Sequence, residues 1–325
     1  MEYTYFITGA QGCIGSWVVK TLLEGGDTVE VFDTSDDPRR LTAIAGEFRS
    51  DRIRFCRGDI TDAAAVRDAM AQSRARRVIH LAGLQVPACK ANPAAGALVN
   101  VVGTLNVFEA ARTLPVERVV YASSAAVFGL SEDGAPVEES DVSEPSTHYG
   151  VFKRANEGNA RVFFLDNGLS STGLRPLTVY GVGRDTGLTS DPTRAIKAAV
   201  VGRKFHIRFG GSTDFLYVAD AAAAFVACAD HAPAGAHVFN LHGETVEIER
   251  VVRIIDSQLP AASRGLITFG GPPIAIAPEL NDRAIRTAIP GLPSTPLIEG
   301  VAKTIEMFTS LRDKGRLDLS DIEEA

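Results

Sequence analysis

The sequence predicts an α/β fold, a doubly wound parallel sheet with a smaller, interleaved C-terminal lobe. Short apolar runs alternate with helix-length segments through the first half of the 325-residue chain. A glycine-punctuated turn joins the first run to the first such segment, and beyond Pro176 proline and glycine become frequent. Strands separated by helices of this length argue for βαβ units and parallel pairing.

In chain order, the predicted strands are residues 4–8, 28–32, 53–57, 77–81 and 118–122, followed later by 171–175. Helical segments fall at 13–24, 63–72, 93–114 and 149–166. Residues 1–175 form the main domain on this reading. Residues 176–213 and 242–317 make the smaller lobe, and 214–241 return to the main sheet. The acidic stretch 318–325 is expected to fray.

Composition is that of an ordinary globular protein, with 45% hydrophobic and 22% charged residues. A net charge of −7 gives no electrostatic reason to bind nucleic acid or an acidic membrane. The four cysteines are far apart and lack metal-ligand spacing, so reduced thiols in a cytoplasmic protein, without a metal, are expected. The first apolar run is too short for a signal-peptide core. No stretch is expected to reach the roughly 18 apolar residues of a membrane span.

The strongest motif is the turn holding Gly9, Gln11, Gly12, Cys13, Ile14 and Gly15. Gly9 permits the tight turn, Gly12 lets backbone N–H groups approach a pyrophosphate, and Gly15 allows close helix–sheet packing. Asp33 closes the second strand, where a carboxylate accepts both ribose hydroxyls and repels a 2′-phosphate. Together these residues indicate a Rossmann-type domain that binds NAD in preference to NADP. Arg39 and Arg40, which follow closely, are the one reservation.

Tyr149 and Lys153 lie four apart in a predicted helix and share a face. A phenol is a poor base at neutral pH, and a nearby ammonium is expected to lower its pKa. Such a group can take a proton from an alcohol as hydride leaves. Ser123 and Ser124 end the fifth strand, at the sheet edge where ligands bind. There a hydroxyl can hydrogen-bond the substrate oxygen.

Assembled, these motifs make the sequence resemble the extended short-chain dehydrogenase/reductase superfamily, the NAD-dependent epimerase/dehydratase group. The resemblance implies further roles. Asp59 and Ile60 match the pair beside adenine, Leu81, Ala82 and Gly83 the cofactor-lining loop after His80, and Asn100 a structural asparagine. Ser124 falls at the catalytic hydroxyl position, and Pro176 with Val179 in the segment that cups the nicotinamide. Relatives commonly dimerise through two long helices, here 93–114 and 149–166, where Val107, Ala110, Ala111, Phe163 and Phe164 are either apolar surface or internal core.

The sequence also departs from the family pattern. Ala125 and Ala126 stand where dehydratases carry an Asp-Glu pair. Thr178 and Thr213 stand where nucleotide-sugar epimerases have an asparagine and an arginine that hold the diphosphate. A diphosphate needs charge-assisted partners. Arg184, Arg194, Arg203 and Arg208 are the candidate substitutes, and Gln85, Thr178 and Thr213 are further candidate substrate contacts. His206 and Arg208 alternate along a predicted strand.

The expected activity is therefore NAD-linked hydride transfer at a secondary carbinol of a sugar, sugar acid or similar polyol. Net oxidation or reduction is favoured over epimerisation because the diphosphate grip looks dismantled. A non-catalytic nucleotide-binding scaffold is the minor alternative, and a homodimer is the expected assembly.

Overall fold

Alternation along the strands decides the architecture. In β1 (Tyr5–Thr8), Tyr5 and Ile7 enter one hydrophobic core and Phe6 enters another on the opposite face. The structure is a computed structural model and describes residues 4–46, 51–129 and 135–323.

The same alternation recurs in β2 (Val29–Asp33), β4 (Arg77–His80) and β5 (Arg118–Ala122), and β3 (Ile53–Arg57) and β6 (Ser170–Arg175) join them. The smaller lobe adds β7 (Thr178–Tyr180), β8 (Phe205–Ile207) and β9 (Ser212–Tyr217). The remaining strands are β10 (Ala236–Asn240), β11 (Glu244–Glu247) and β12 (Ile267–Phe269). The main sheet has seven parallel strands in the order β10-β6-β5-β4-β1-β2-β3. Strand order reverses between β1 and β4, which opens a crevice at their carboxyl ends.

One face of the sheet packs on helices Cys13–Gly25 and Val218–His231, whose Val18, Leu22, Ala222 and Phe225 are fully buried. The other face packs on Ala63–Ser73, Gly103–Thr113 and His148–Asn167 through Met70, Phe108 and Phe163. β10 returns to the main sheet beside β6, while β9 sits between β7 and β11 in a separate three-stranded sheet. A third cluster, Ala125, Val127 and Phe128 with Val137, Ala277 and Leu280, fastens the later segments to the carboxyl end of β5.

Some expectations are corrected. The helix predicted at 93–114 contains a π-helical turn, Leu98–Val102, between α-helical parts. Among the described residues, Pro93–Thr113 is also the one helix long and apolar enough to cross a membrane, with a mean hydropathy of 1.3. Part of its apolar surface serves the core, since Val107, Phe108, Ala110 and Ala111 are all buried, while Leu98 and Val102 are exposed.

Val107, Ala110, Ala111 and Phe163, which the sequence leaves open between subunit surface and internal core, face the sheet of their own chain. The stretch expected to fray forms a helix, Ser320–Glu323, with Ile322 buried and Asp321 ion-paired. Residues 324 and 325 of that stretch lie outside the described residues.

Candidate active site

The glycine turn is built for close approach. Gly9 has φ +68°, and a Cβ there would lie 2.5 Å from the Ala82 nitrogen. A Cβ on Gly15 would come 2.3 Å from the Gly9 carbonyl oxygen, so this glycine lets the helix press on β1. Helix Cys13–Gly25 starts at Gly12 with no side-chain cap and no acid in its first turn. Its orphan N–H groups and dipole are therefore suited to an anion, unlike those of helix Ala63–Ser73, whose amides Asp62 caps.

Asp33 is oriented by two backbone amides, Gln11 N at 3.0 Å and Ser35 N at 3.1 Å. Arg40, one of the two arginines that raised a doubt about NADP, donates to the Gln11 carbonyl at 2.9 Å and pairs with Asp185 at 2.9 Å. Arg39 pairs with Asp37 at 2.6 Å. Both arginines are thus engaged by their own chain.

Gly9, Gln11, Gly12 and Asp33 share one cavity of about 1030 Å³ with Asp59, Ile60, Leu81, Ala82 and Gly83. Cys13, Ile14 and Gly15 form the helical turn beside it. A Cβ on Gly83 would sit 3.1 Å from Asn100 Oδ1 and 3.7 Å from Lys153 Nζ, so this loop joins the cofactor cavity to the reacting end.

Asn100 acts behind the loop. Its amide accepts from Leu84 N at 2.7 Å and donates to Leu84 O at 2.8 Å. Its backbone carbonyl accepts from Asn156 at 2.7 Å, within the π-helical turn. His80 bridges Thr8 at 2.6 Å and Thr104 at 3.0 Å, which makes it a structural strut at the carboxyl end of β4.

Ser124, Tyr149 and Lys153 converge. Helix His148–Asn167 is capped by Thr147, whose hydroxyl accepts from Gly150 N at 3.1 Å. A Cβ on Gly150 would lie 2.1 Å from the Ala126 carbonyl oxygen, so Gly150 lets this helix close on the turn that carries Ser124. No sequence motif marks Gly150, although it adjoins Tyr149.

The Ser124 hydroxyl is close enough to Tyr149 to act on its titration. Burial raises the Tyr149 pKa, while the Ser124 contact and the nearby Arg184 charge pull it back down. The ammonium of Lys153 donates to the Ala122 carbonyl at 2.7 Å and lies 5.4 Å from the centre of the tyrosine ring. Burial lowers the Lys153 pKa to about 8, partly offset by Cys89 and Glu157. The expected lowering of the phenol by Lys153 is thus replaced by Ser124 and Arg184 acting against burial.

Arg184 donates to Gln85 at 3.4 Å and to Thr189 at 3.1 Å, so two expected substrate contacts meet beside Tyr149. Pro176 holds the Ser124 turn by accepting from Ala125 N at 3.0 Å, and Val179 is buried in β7.

Other expected contacts point elsewhere. Ser123 donates to Glu157 at 2.6 Å, and the same carboxylate takes two bonds from Arg175, at 2.7 and 2.8 Å. Ser123 therefore locks strand ends in the core and is removed as a substrate contact. Thr178 and Thr213 share a 3.0 Å hydrogen bond and are both buried, which withdraws them from the substrate contacts as well. Arg194 and Arg208 are both bound to Asp191. His206 and Arg208 share an exposed face, alternating with buried Phe205, Ile207 and Phe209, and His206 contacts Thr268 at 2.9 Å there. Ala125 and Ala126, at the dehydratase acid–base positions, are buried.

An uncapped helix behind a glycine cradle, with an oriented carboxylate and a serine–tyrosine–lysine set, defines an NAD-dependent enzyme of the short-chain dehydrogenase/reductase type. The chain belongs to the NAD-dependent epimerase/dehydratase family, which it matches over residues 5–241. It is similar to the UDP-glucose 4-epimerase of Mycolicibacterium smegmatis, 30% identical over 314 residues, 93% of this chain and 97% of the relative. Among solved structures it is similar to MoeE5 in complex with UDP-glucose and NAD, at 28% identity and TM-score 0.79, covering 95% of this chain and 99% of that one. The fold also matches the NAD complex of the UDP-glucose 4-epimerase from Thermus thermophilus. There the TM-score is 0.79 at 24% identity, covering 94% and 98% of the two chains.

Proposed function

We propose that the protein is an NAD-dependent sugar epimerase that inverts a secondary carbinol through a transient ketone. The observation that carries this reading is the convergence of Ser124, Tyr149 and Lys153, in a chain whose near full-length relative is a 4-epimerase. Support from the relatives runs against the net redox reaction that the sequence alone favoured.

Bound NAD supplies the hydride acceptor and, in the return step, the hydride donor. The chain's own groups handle the proton and the position. Ser124 holds the reacting oxygen. Tyr149 takes its proton in the forward direction and returns it in the reverse. Lys153, buried and cationic below a pH of about 8, keeps positive charge beside the phenol. Arg184 and Gln85 orient the sugar from the opposite side.

One observation favours a second reading, net oxidation of a sugar without a nucleotide handle. The mutual bond of Thr178 and Thr213 leaves neither position to grip a diphosphate. A panel of free sugars, sugar acids and UDP-sugars, followed by NMR of the products and NADH absorbance, separates the two. The epimerase reading expects a new stereoisomer without accumulating NADH. Stoichiometric NADH in solution with a ketone product would overturn it. The proposed assembly is a homodimer, supported by exposed apolar residues on helices Pro93–Thr113 and His148–Asn167.

A further inference from the structure

A chain of alternating charges runs away from the cofactor cradle. Arg40, on the Gln11 carbonyl, pairs with Asp185 at 2.9 Å, and Asp185 accepts from Lys197 at 3.0 Å. Lys197 is 3% exposed and donates at 2.7 Å to Asp321, in the helix Ser320–Glu323. Arg194 extends the chain by donating to the Asp321 backbone carbonyl. Gln11 N in turn holds Asp33 at 3.0 Å.

The segment between helix Leu297–Asp313 and Asp321 lies on the same cleft. Gly315, Arg316, Leu317 and Asp318 line the cavity that also holds Gln11 and Asp33. Gly315 turns the chain back at φ +65°, and Ile322 anchors it in the main core. The family match ends at residue 241, well before this segment.

We infer that residues 315–322 form a strap that retains NAD between half-reactions, with Asp321 as the positioning residue that fastens it through Lys197, Asp185 and Arg40 to the cradle. An epimerase returns the hydride it has taken, so its cofactor must outlast the ketone intermediate. A strap over the cleft slows cofactor escape without touching the reacting atoms. In that consequence the inference rests on the epimerase reading, whereas the rate of NAD release tests the strap alone.

Asp321→Asn removes the charge and leaves Lys197 its bond to Asp185, so the lysine keeps a carboxylate partner. Ile322→Ala loosens the same anchor without altering charge. Both variants, and Asp321→Glu as rescue, are purified as full chains, checked by thermal melting, and assayed for co-purified NAD and its dissociation rate. The strap expects dissociation to rise about 10-fold or more in Asp321→Asn, as for loss of a charge-assisted contact. It also expects a rise in Ile322→Ala, return toward the parent rate in Asp321→Glu, and kcat near the parent value at saturating NAD. Folded variants that release NAD at the parent rate would overturn the strap whatever the net reaction proves to be. Unchanged kcat with faster release and NADH escape during turnover would support it. If Asp321→Asn fails to fold, the Ile322→Ala rate decides.

Discussion

Tyr149 and His80 show how burial sets different tasks for two titratable side chains. Burial pushes the Tyr149 pKa up, while the Ser124 hydroxyl and the Arg184 charge pull it down and so favour the phenolate that must accept the substrate proton. Tyr149→Phe should lower kcat by about 10²–10⁴-fold, the range for loss of a general acid–base, while co-purified NAD stays constant. A variant that turns over at the parent rate would remove Tyr149 from the mechanism. His80 instead has both ring nitrogens held by structural hydroxyls, those of Thr8 and Thr104. Burial, with the Lys153 charge adding to it, holds its pKa down at about 3 from 6.5. Below pH 6.5 the unfolded chain gains a proton there that the folded chain refuses, so stability falls as pH drops toward 3. His80→Asn keeps a polar side chain between Thr8 and Thr104 and removes this titration. Its unfolding free energy from urea melts should fall less between about pH 6.5 and about pH 4 than that of the parent. Parallel curves would show that His80 does not contribute.

Helix His148–Asn167 carries an internal comparison of what a glycine does. A Cβ at Gly150 meets the Ala126 carbonyl at 2.1 Å, while one at Gly158 meets nothing within 4 Å. Gly150→Ala should therefore destabilise by about 1–3 kcal/mol, as overpacking does, and lower kcat by shifting Tyr149 from Ser124. Gly158→Ala should stabilise by roughly 0.5–1 kcal/mol through helix propensity and leave kcat alone. Thermal melts and initial rates on both variants check the pair. Equal effects would mean that the helix does not bear on the Ser124 turn. The elements are legible where periodicity is strong: β1 to β6 lie within a residue or so of the runs read from sequence. The π-helical turn is not, because Leu98–Val102 carries the same apolar pattern as an α-helix. Its difference lies in hydrogen bonds that Asn100 and Asn156 make across space.

At the scale of the whole molecule, local motifs report the cofactor half of the site well and the substrate half poorly. The glycine turn and Asp33 are set within one βαβ unit, so spacing in sequence nearly fixes spacing in the fold. Ser123, Thr178 and Thr213 look like substrate contacts in the sequence because their partners, Glu157 and each other, come from elements far apart in the chain. The subunit surface is obscure for a related reason: composition says that a helix is apolar, not which side faces out. Val107, Ala110 and Phe163 turn inward, while Leu98, Val102, Val151, Val162 and Leu165 remain exposed, Leu165 to 67%. On helix His148–Asn167 the exposed positions 151, 158, 162 and 165 follow the three- and four-residue spacing of one face. Two copies packed on this face would cover these side chains and the exposed pair Leu98 and Val102. Light scattering coupled to size exclusion should then give twice 34.5 kDa for the parent chain. Val162→Asp with Leu165→Asp should give the single-chain mass at the same concentration, because a carboxylate buried in an apolar interface lacks a partner. Both substitutions are on exposed positions, so the monomer should keep its melting transition. A parent chain that already elutes at 34.5 kDa at micromolar concentration would remove the dimer.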